Sequence, residues 1–355
     1  MNMTATERIK EMIGKKRVDN VGASGWYHTP ECDRKGPVPF SERIIKITDY
    51  NKWDFIKIMN TGVYMQEAHG ADLEFFSENI SLERLRSKMI FEFHGYLVNN
   101  VDDMRRFHSI NSRDNVVFNR EARTVRALAE HYKGTVPILP TIFLPAHTIP
   151  EFVGGIPAAQ EYFRDYPDDV DSMLKALFET EKQLLDMYIE AGADGFFFAN
   201  RWASRDLMTE EQFDRFCVPY ETALIDYVAD RTWFNMIHVH GEKNFFWKQF
   251  NEYHVQAFNW ENVPHKVPEE GRESVAKVRS MTDRILVSGT DQFADFYGTT
   301  DEVLERFESR LEMAARQSGD NRFIFAPGCS LPLDIDPENV HQLRVAVDDY
   351  NSKAR

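Results

Sequence analysis

His238 and His240 stand one residue apart in the run TWFNMIHVHG. On an extended strand, residues i and i+2 share a face, so both imidazoles point the same way, above Phe234 and Met236. Gly241 then lets the chain turn aside. Two histidines so placed can chelate a transition metal, but two ligands do not make a site. The alternative at this point is a hydrogen-bonded pair with no metal. A third donor is Cys329, in FIFAPGCSLPLD, just past another apolar run. Three protein ligands with an open fourth position is the pattern of catalytic zinc, with nitrogen at about 2.0–2.1 Å and sulfur at about 2.3 Å. The competing reading of Cys329 is a small side chain filling a tight turn.

Other groups are less specific. His28 ends the run GASGWYH and either hydrogen-bonds a substrate or caps a loop. Glu261, after FNW, is an acid, a base, a fourth ligand or a plain solvated carboxylate. His131 and His254 read as surface or helix-end residues. Trp26, Tyr27, Trp202 and Trp260 suit either a flat ligand or ordinary packing. The sequence has no P-loop, no nucleotide fingerprint and no G-x-S-x-G.

These candidates are useful only if the fold brings them together. Short apolar runs predict strands at Gly22–His28, Asp54–Asn60, Val136–Leu144, Asp194–Ala199, Thr232–His240, Val255–Trp260, Ile285–Ser288 and Phe323–Ala326. Helical patterns separate them. Two open with capping boxes, Thr209 to Gln212 and Thr299 to Glu302, and another has Pro337 at its first position after the N-cap Asp336. Eight strands alternating with helices predict a single α/β domain over residues 1–355, a (β/α)8 TIM barrel, with an open doubly wound sheet as the alternative. Residues from about 77 to 133 break the alternation and read as an insertion covering one end. In such a barrel, active-site groups come from the C-terminal ends of the strands. His28, His240, Glu261 and Cys329 all fall there. The fifth strand lies across the mouth from the last, so His238 and His240 could meet Cys329 over the centre.

Bulk properties narrow the function. The 355 residues are 43% hydrophobic, with a formal charge of −15. Interspersed acidic excess argues against a nucleic-acid partner and against an anionic membrane surface. Three cysteines, Cys32, Cys217 and Cys329, are a poor disulfide framework and suit a reducing compartment, so a cytoplasmic enzyme is expected. The charged first twenty residues do not resemble a signal peptide.

GADGFFFANRWAS, CVPYETALIDYV, HVHG, VQAFNWEN, LVSGTDQFADFYGTTDEV and APGCSLPLDIDPENV occur in the order found in the uroporphyrinogen decarboxylase superfamily, which the chain resembles from about residue 15 onward. That resemblance implies a (β/α)8 barrel. True decarboxylases of the family use an arginine-rich first loop, an aspartate, a tyrosine and a histidine in the closing motif. Here the first loop is GWYHTPECDRKGPVPF, Thr61 falls about where the aspartate belongs, Glu151 or Phe152 replaces the tyrosine, and Cys329 replaces the histidine. The zinc-dependent methyltransferase branch, which works with a corrinoid (cobalamin) protein, is the better match. Its ligands resemble H-x-C with a distant cysteine in a GC motif, so the resemblance makes His238, His240 and Cys329 the zinc ligands. His240 stands where that branch usually has cysteine. An imidazole in place of a thiolate leaves the metal more positive and a bound thiolate less electron-rich.

The expectation is therefore a zinc-dependent methyltransferase moving a methyl group between a corrinoid partner protein and a small thiol or methylated substrate, with His28 and Glu261 orienting substrate or moving a proton. A metal-free decarboxylase or lyase using the histidines as acid and base is the second reading. A tetrapyrrole- or corrinoid-binding protein without turnover is the third. Family members often pair through barrel faces, so a homodimer is expected on the resemblance alone.

Overall fold

The computed structural model describes residues 3–15, 18, 20–320 and 322–353. Among them are ten strands: β1 (Gly22–Ala23), β2 (Ile56–Ile58), β3 (Leu73–Phe75), β4 (Phe91–Phe93), β5 (Ile138–Phe143), β6 (Phe197–Asn200), β7 (Met236–Val239), β8 (Ala257–Trp260), β9 (Ile285–Thr290) and β10 (Phe323–Pro327). Eight form one parallel sheet in the order β1-β10-β9-β8-β7-β6-β5-β2, with β3 and β4 as a separate antiparallel pair. First strand beside last, and every other neighbour consecutive in the sheet's own sequence, is the order of a TIM-type barrel rather than a doubly wound sheet. The two ends of the sheet meet where Asp54 N–H donates to Ala23 O at 2.8 Å and Ser24 Oγ donates to Phe55 O at 2.9 Å. All eight expected strands are present, most of them shorter than expected. The largest shortfall is β1, whose ladder stops at Ala23, with Ser24 N–H still donating to Phe325 O at 3.2 Å.

Strand parity divides the core in two. One cluster fills the barrel interior, where Trp26, Phe55, Phe197, Phe234, Met236, Val287 and Ile324 pack around the axis. The larger cluster lies between strands and helices. Burying each such side chain contributes roughly 1.5–3 kcal/mol, which keeps the strand ends fixed as a platform. Both capping boxes close, Thr209 with Gln212 and Thr299 with Glu302. Trp202 and Trp260 are fully buried in the outer core, with their indole N–H groups on Ala146 O and Glu273 O, so they pack the barrel and do not offer faces to a ligand.

Between β2 and β5 the chain makes the β3–β4 hairpin, a short helix at Leu82–Ser87 between its strands, and then the helix Val116–Tyr132, which packs against the helices Pro37–Asn51 and Pro167–Ala191. The hairpin stretch is tied to the closing loop by Leu333 N–H to Leu85 O at 3.0 Å and Lys88 Nζ to Ser330 O at 3.0 Å. No described helix is long and apolar enough to cross a membrane.

Candidate metal centre

The C-terminal end of β7 delivers His238 and the residue after it, His240. His238 lies in register with Ala199 of β6 on one side and Asn259 of β8 on the other. Its ring stacks on Phe197, with centroids 5.3 Å apart and planes at 27°. Asn259 fixes the ring's chemistry. The Asn259 amide nitrogen donates to Val287 O at 2.8 Å and to Pro327 O at 3.2 Å, so its oxygen faces His238 Nδ1 at 2.6 Å. An acceptor there requires the proton on Nδ1 and leaves Nε2 with a free lone pair, the orienting contact found behind metal-bound imidazoles.

That lone pair points at the other two donors. His238 Nε2 is 3.4 Å from His240 Nδ1, and His240 Nδ1 is 3.8 Å from Cys329 Sγ. All three donor atoms lie within 4.8 Å of one another. Two nitrogens and a sulfur on a tetrahedral zinc stand about 3.3–3.6 Å apart, from the usual bond lengths. His240 Nδ1 already stands close to these separations from both partners, only the widest donor spacing must contract, and the donor set fits the ion. Gly328 makes the approach of Cys329 possible, since a Cβ there would sit 2.6 Å from the Glu261 Cα.

The charges agree with a cation site. Burial pushes the Cys329 thiol up, but Lys88 and the contacts with His238 and His240 outweigh it and hold the thiol well below its usual range. Burial lowers His238, whereas in His240 the contact with Cys329 and the nearby Glu261 overcome burial and raise it. Cys329 and His240 thus shift in opposite directions, each favouring the charged form of the other.

Glu261 is buried directly after β8, not solvated as its sequence context suggested. Burial first, then the Cys329 charge, push its carboxyl up to about 7, against the pull of His240. Gln292 is buried beside it. His28 does not join the metal cluster. Burial pulls it down to about 3, helped by Lys57 and Lys88, and its Nδ1 has no partner. It lines a cleft of about 350 Å3 walled by Tyr27, Arg43, Leu85, Leu333 and Val340. His131 and His254 are exposed, as expected.

Sequence reasoning missed Asn259, Lys57, Lys88 and His147. His147, in the helix after β5, is buried with an unpartnered Nδ1, and its ring lies 4.7 Å from that of Phe143. Asn259 had a legible signal, a lone amide in the apolar run QAFNW one strand over from the H-x-H. Replacing Asn259 with Ala is expected to lower zinc affinity about 10–100-fold, while Asn259→Asp, which keeps the acceptor, loses less. Competition against a chromogenic chelator measures both.

The sequence profile described as uroporphyrinogen decarboxylase (URO-D) matches residues 85–350. The fold is similar to that of a methyltransferase from Methanosarcina mazei, at 16% identity and a TM-score of 0.75, over 98% of this chain and 99% of that one. It is also similar to a putative vitamin-B12 independent methionine synthase from Listeria monocytogenes, at 12% identity and a TM-score of 0.53, over 94% and 96% of the two chains. At these identities the likeness is one of fold. Comparison with curated proteins gives no match.

Proposed function

The chain belongs to the uroporphyrinogen decarboxylase family, and from that premise we propose that it is a zinc-dependent methyltransferase, moving a methyl group between a corrinoid protein and a small thiol or methylated substrate. The observation that carries this reading is the convergence of His238 Nε2, His240 Nδ1 and Cys329 Sγ, with Asn259 holding the first in the ligating tautomer. The methyltransferase fold match is consistent with it. Tetrapyrrole decarboxylation is poorly supported, because the first-loop Arg34 is already held by Glu67 at 2.9 Å and stacked on Phe75 at 3.7 Å. Thr61, where the family's aspartate belongs, carries no charge to balance a protonated pyrrole.

Zinc held by His238, His240 and Cys329 would lower the pKa of a bound thiol or alcohol and supply a nucleophile at neutral pH. The chain's own groups then have separate tasks. Asn259 keeps the His238 lone pair aimed inward. Glu261, adjacent to His240 and Cys329, is the group we assign to accept the proton the substrate loses. His28, uncharged at neutral pH, lines the cleft and is the group we assign to contact the substrate from that side.

Protein purified without a tag or chelator, and offered zinc, is expected to hold about one zinc per chain. It should convert methylcobalamin to cob(I)alamin in the presence of a thiol, with turnover lost on chelation and restored by zinc. Absence of metal under those conditions sinks the proposal and turns the search to metal-free chemistry on carboxylic acids. A stoichiometric spectral change without methylated product would indicate a binding protein instead.

A further inference from the structure

β2 turns a lysine into the barrel. Phe55, Lys57 and Met59 alternate onto one face, and both Phe55 and Met59 belong to the interior cluster. The Lys57 Nζ lies 4.6 Å from the Phe197 ring centroid and 5.7 Å from that of Trp26, and it touches the Met59 sulfur. Among the described residues, no oxygen accepts from it. The other face of the problem is the centre itself, because Phe197 is also the ring on which His238 stacks. Lys57, His28, His240 and Cys329 are each only partly buried, and Lys57 is near enough to Cys329 and His238 for their charges to act on one another.

An enclosed ammonium with no anion is costly, and a methionine would fill the same apolar slot without that cost. Burial is the main cause that pulls Lys57 down to about 7, with Cys329 opposing it and Lys88 adding to it. The one negative group that acts on Lys57 is Cys329, which belongs to the metal centre. Glu151 is taken by Arg201 and Glu261 sits against His240 and Cys329. Lys88, the nearest other cation, spends a hydrogen bond on Ser330 O. A single amine, without an arginine fork or a nest of backbone N–H groups, suits a carboxylate better than a phosphate.

We propose that Lys57 anchors the carboxylate of the substrate, whose thiol or methyl-bearing end reaches the His238–His240–Cys329 centre. The substrate class is then a short carboxylic acid with a sulfur or oxygen methyl site. This inference rests on the metal-centre reading above, and its test separates the two.

Cobalt(II)-loaded protein is titrated with mercaptoacetate and 3-mercaptopropionate and with their neutral amides, following thiolate-to-cobalt absorption. A hydrogen bond between ionised partners is worth about 1.5–3 kcal/mol, so each acid should bind about 10–100-fold more tightly than its amide. Lys57→Met should erase that preference while leaving amide affinity and cobalt content unchanged. Lys57→Gln serves the same purpose if the methionine variant does not fold. In parallel, metal-free protein is melted in propionate and in propionamide. Propionate alone should raise the Tm of the wild type, and neither should raise that of the variants. Equal binding within each acid–amide pair, or a preference that survives in Lys57→Met, overturns the proposal. Failure to load cobalt counts against the metal centre, and the propionate melts then decide for or against Lys57 by themselves.

Discussion

Cys329→Ser and His238→Ala are each expected to yield folded protein with less than about a tenth of the wild-type zinc content. Each change leaves two donors, and a two-donor site does not retain zinc against dialysis. The loss should exceed the 10–100-fold or so that accompanies removal of an orienting partner such as Asn259. The two variants fail for different reasons. Serine at 329 removes the thiolate and with it the negative charge that raises His240. Alanine at 238 removes a neutral donor and leaves the Asn259 oxygen without its partner, so this variant also loses about 1–3 kcal/mol of stability. Elemental analysis gives the first effect and urea denaturation the second. Retention of zinc in either variant would mean that the metal sits elsewhere, and the H-x-H would then be an acid–base pair at the barrel mouth.

The barrel and the three ligand candidates were legible because each depends on a short-range pattern. Parity within TWFNMIHVHG is enough to align the two histidines, and the apolar run before Pro327 is enough to put Cys329 at a strand's end. What the sequence withheld depends on contacts between distant strands. Asn259 acts on His238 only because β8 lies beside β7 in that register. Glu261 reads as a solvated acid, yet Gly328, 67 residues later, closes over it. Lys57 is legible by parity once its strand is known, since Phe55 and Met59 flank it, but its lack of an acceptor is visible only when the whole interior is assembled. The region between residues 72 and 93 resisted for another reason. Its hairpin strands are three residues each and partly exposed, so they carry almost no periodic signal.

The barrel's closure rests on one carboxylate, and removing it should cause the largest stability loss of any single polar change. Asp54 is buried just before β2. It accepts from Ala23 N–H at 2.7 Å and from Arg344 Nη2 at 2.8 Å, and it pairs with Arg8. Those partners belong to β1, to the last helix (Pro337–Lys353) and to the first helix (Ala5–Ile13). Arg344 is further tied to Asn51 O at 3.1 Å, at the end of the helix that leads into β2. One side chain therefore joins both ends of the chain to the seam between β1 and β2, where backbone pairing is thinnest. Asp54→Ala removes the carboxylate shared by two mostly buried guanidinium groups, of which Arg344 keeps its more exposed pair with Asp348 at 3.3 Å, and breaking a buried pair costs about 3–5 kcal/mol. The expected result is a lowered urea midpoint with an unchanged slope, because the exposed area on unfolding is the same. Asp54→Asn, which keeps an acceptor but not the charge, should fall between. His28 and Lys57 lie on the two segments that this seam joins, so a variant that folds should also lose the Lys57-dependent preference for acids while keeping its zinc content, since the proposed ligands lie on β7 and the loop after β10. Loss of less than about 1 kcal/mol in Asp54→Ala would show instead that water replaces the carboxylate between the arginines and that the helices alone hold the seam closed.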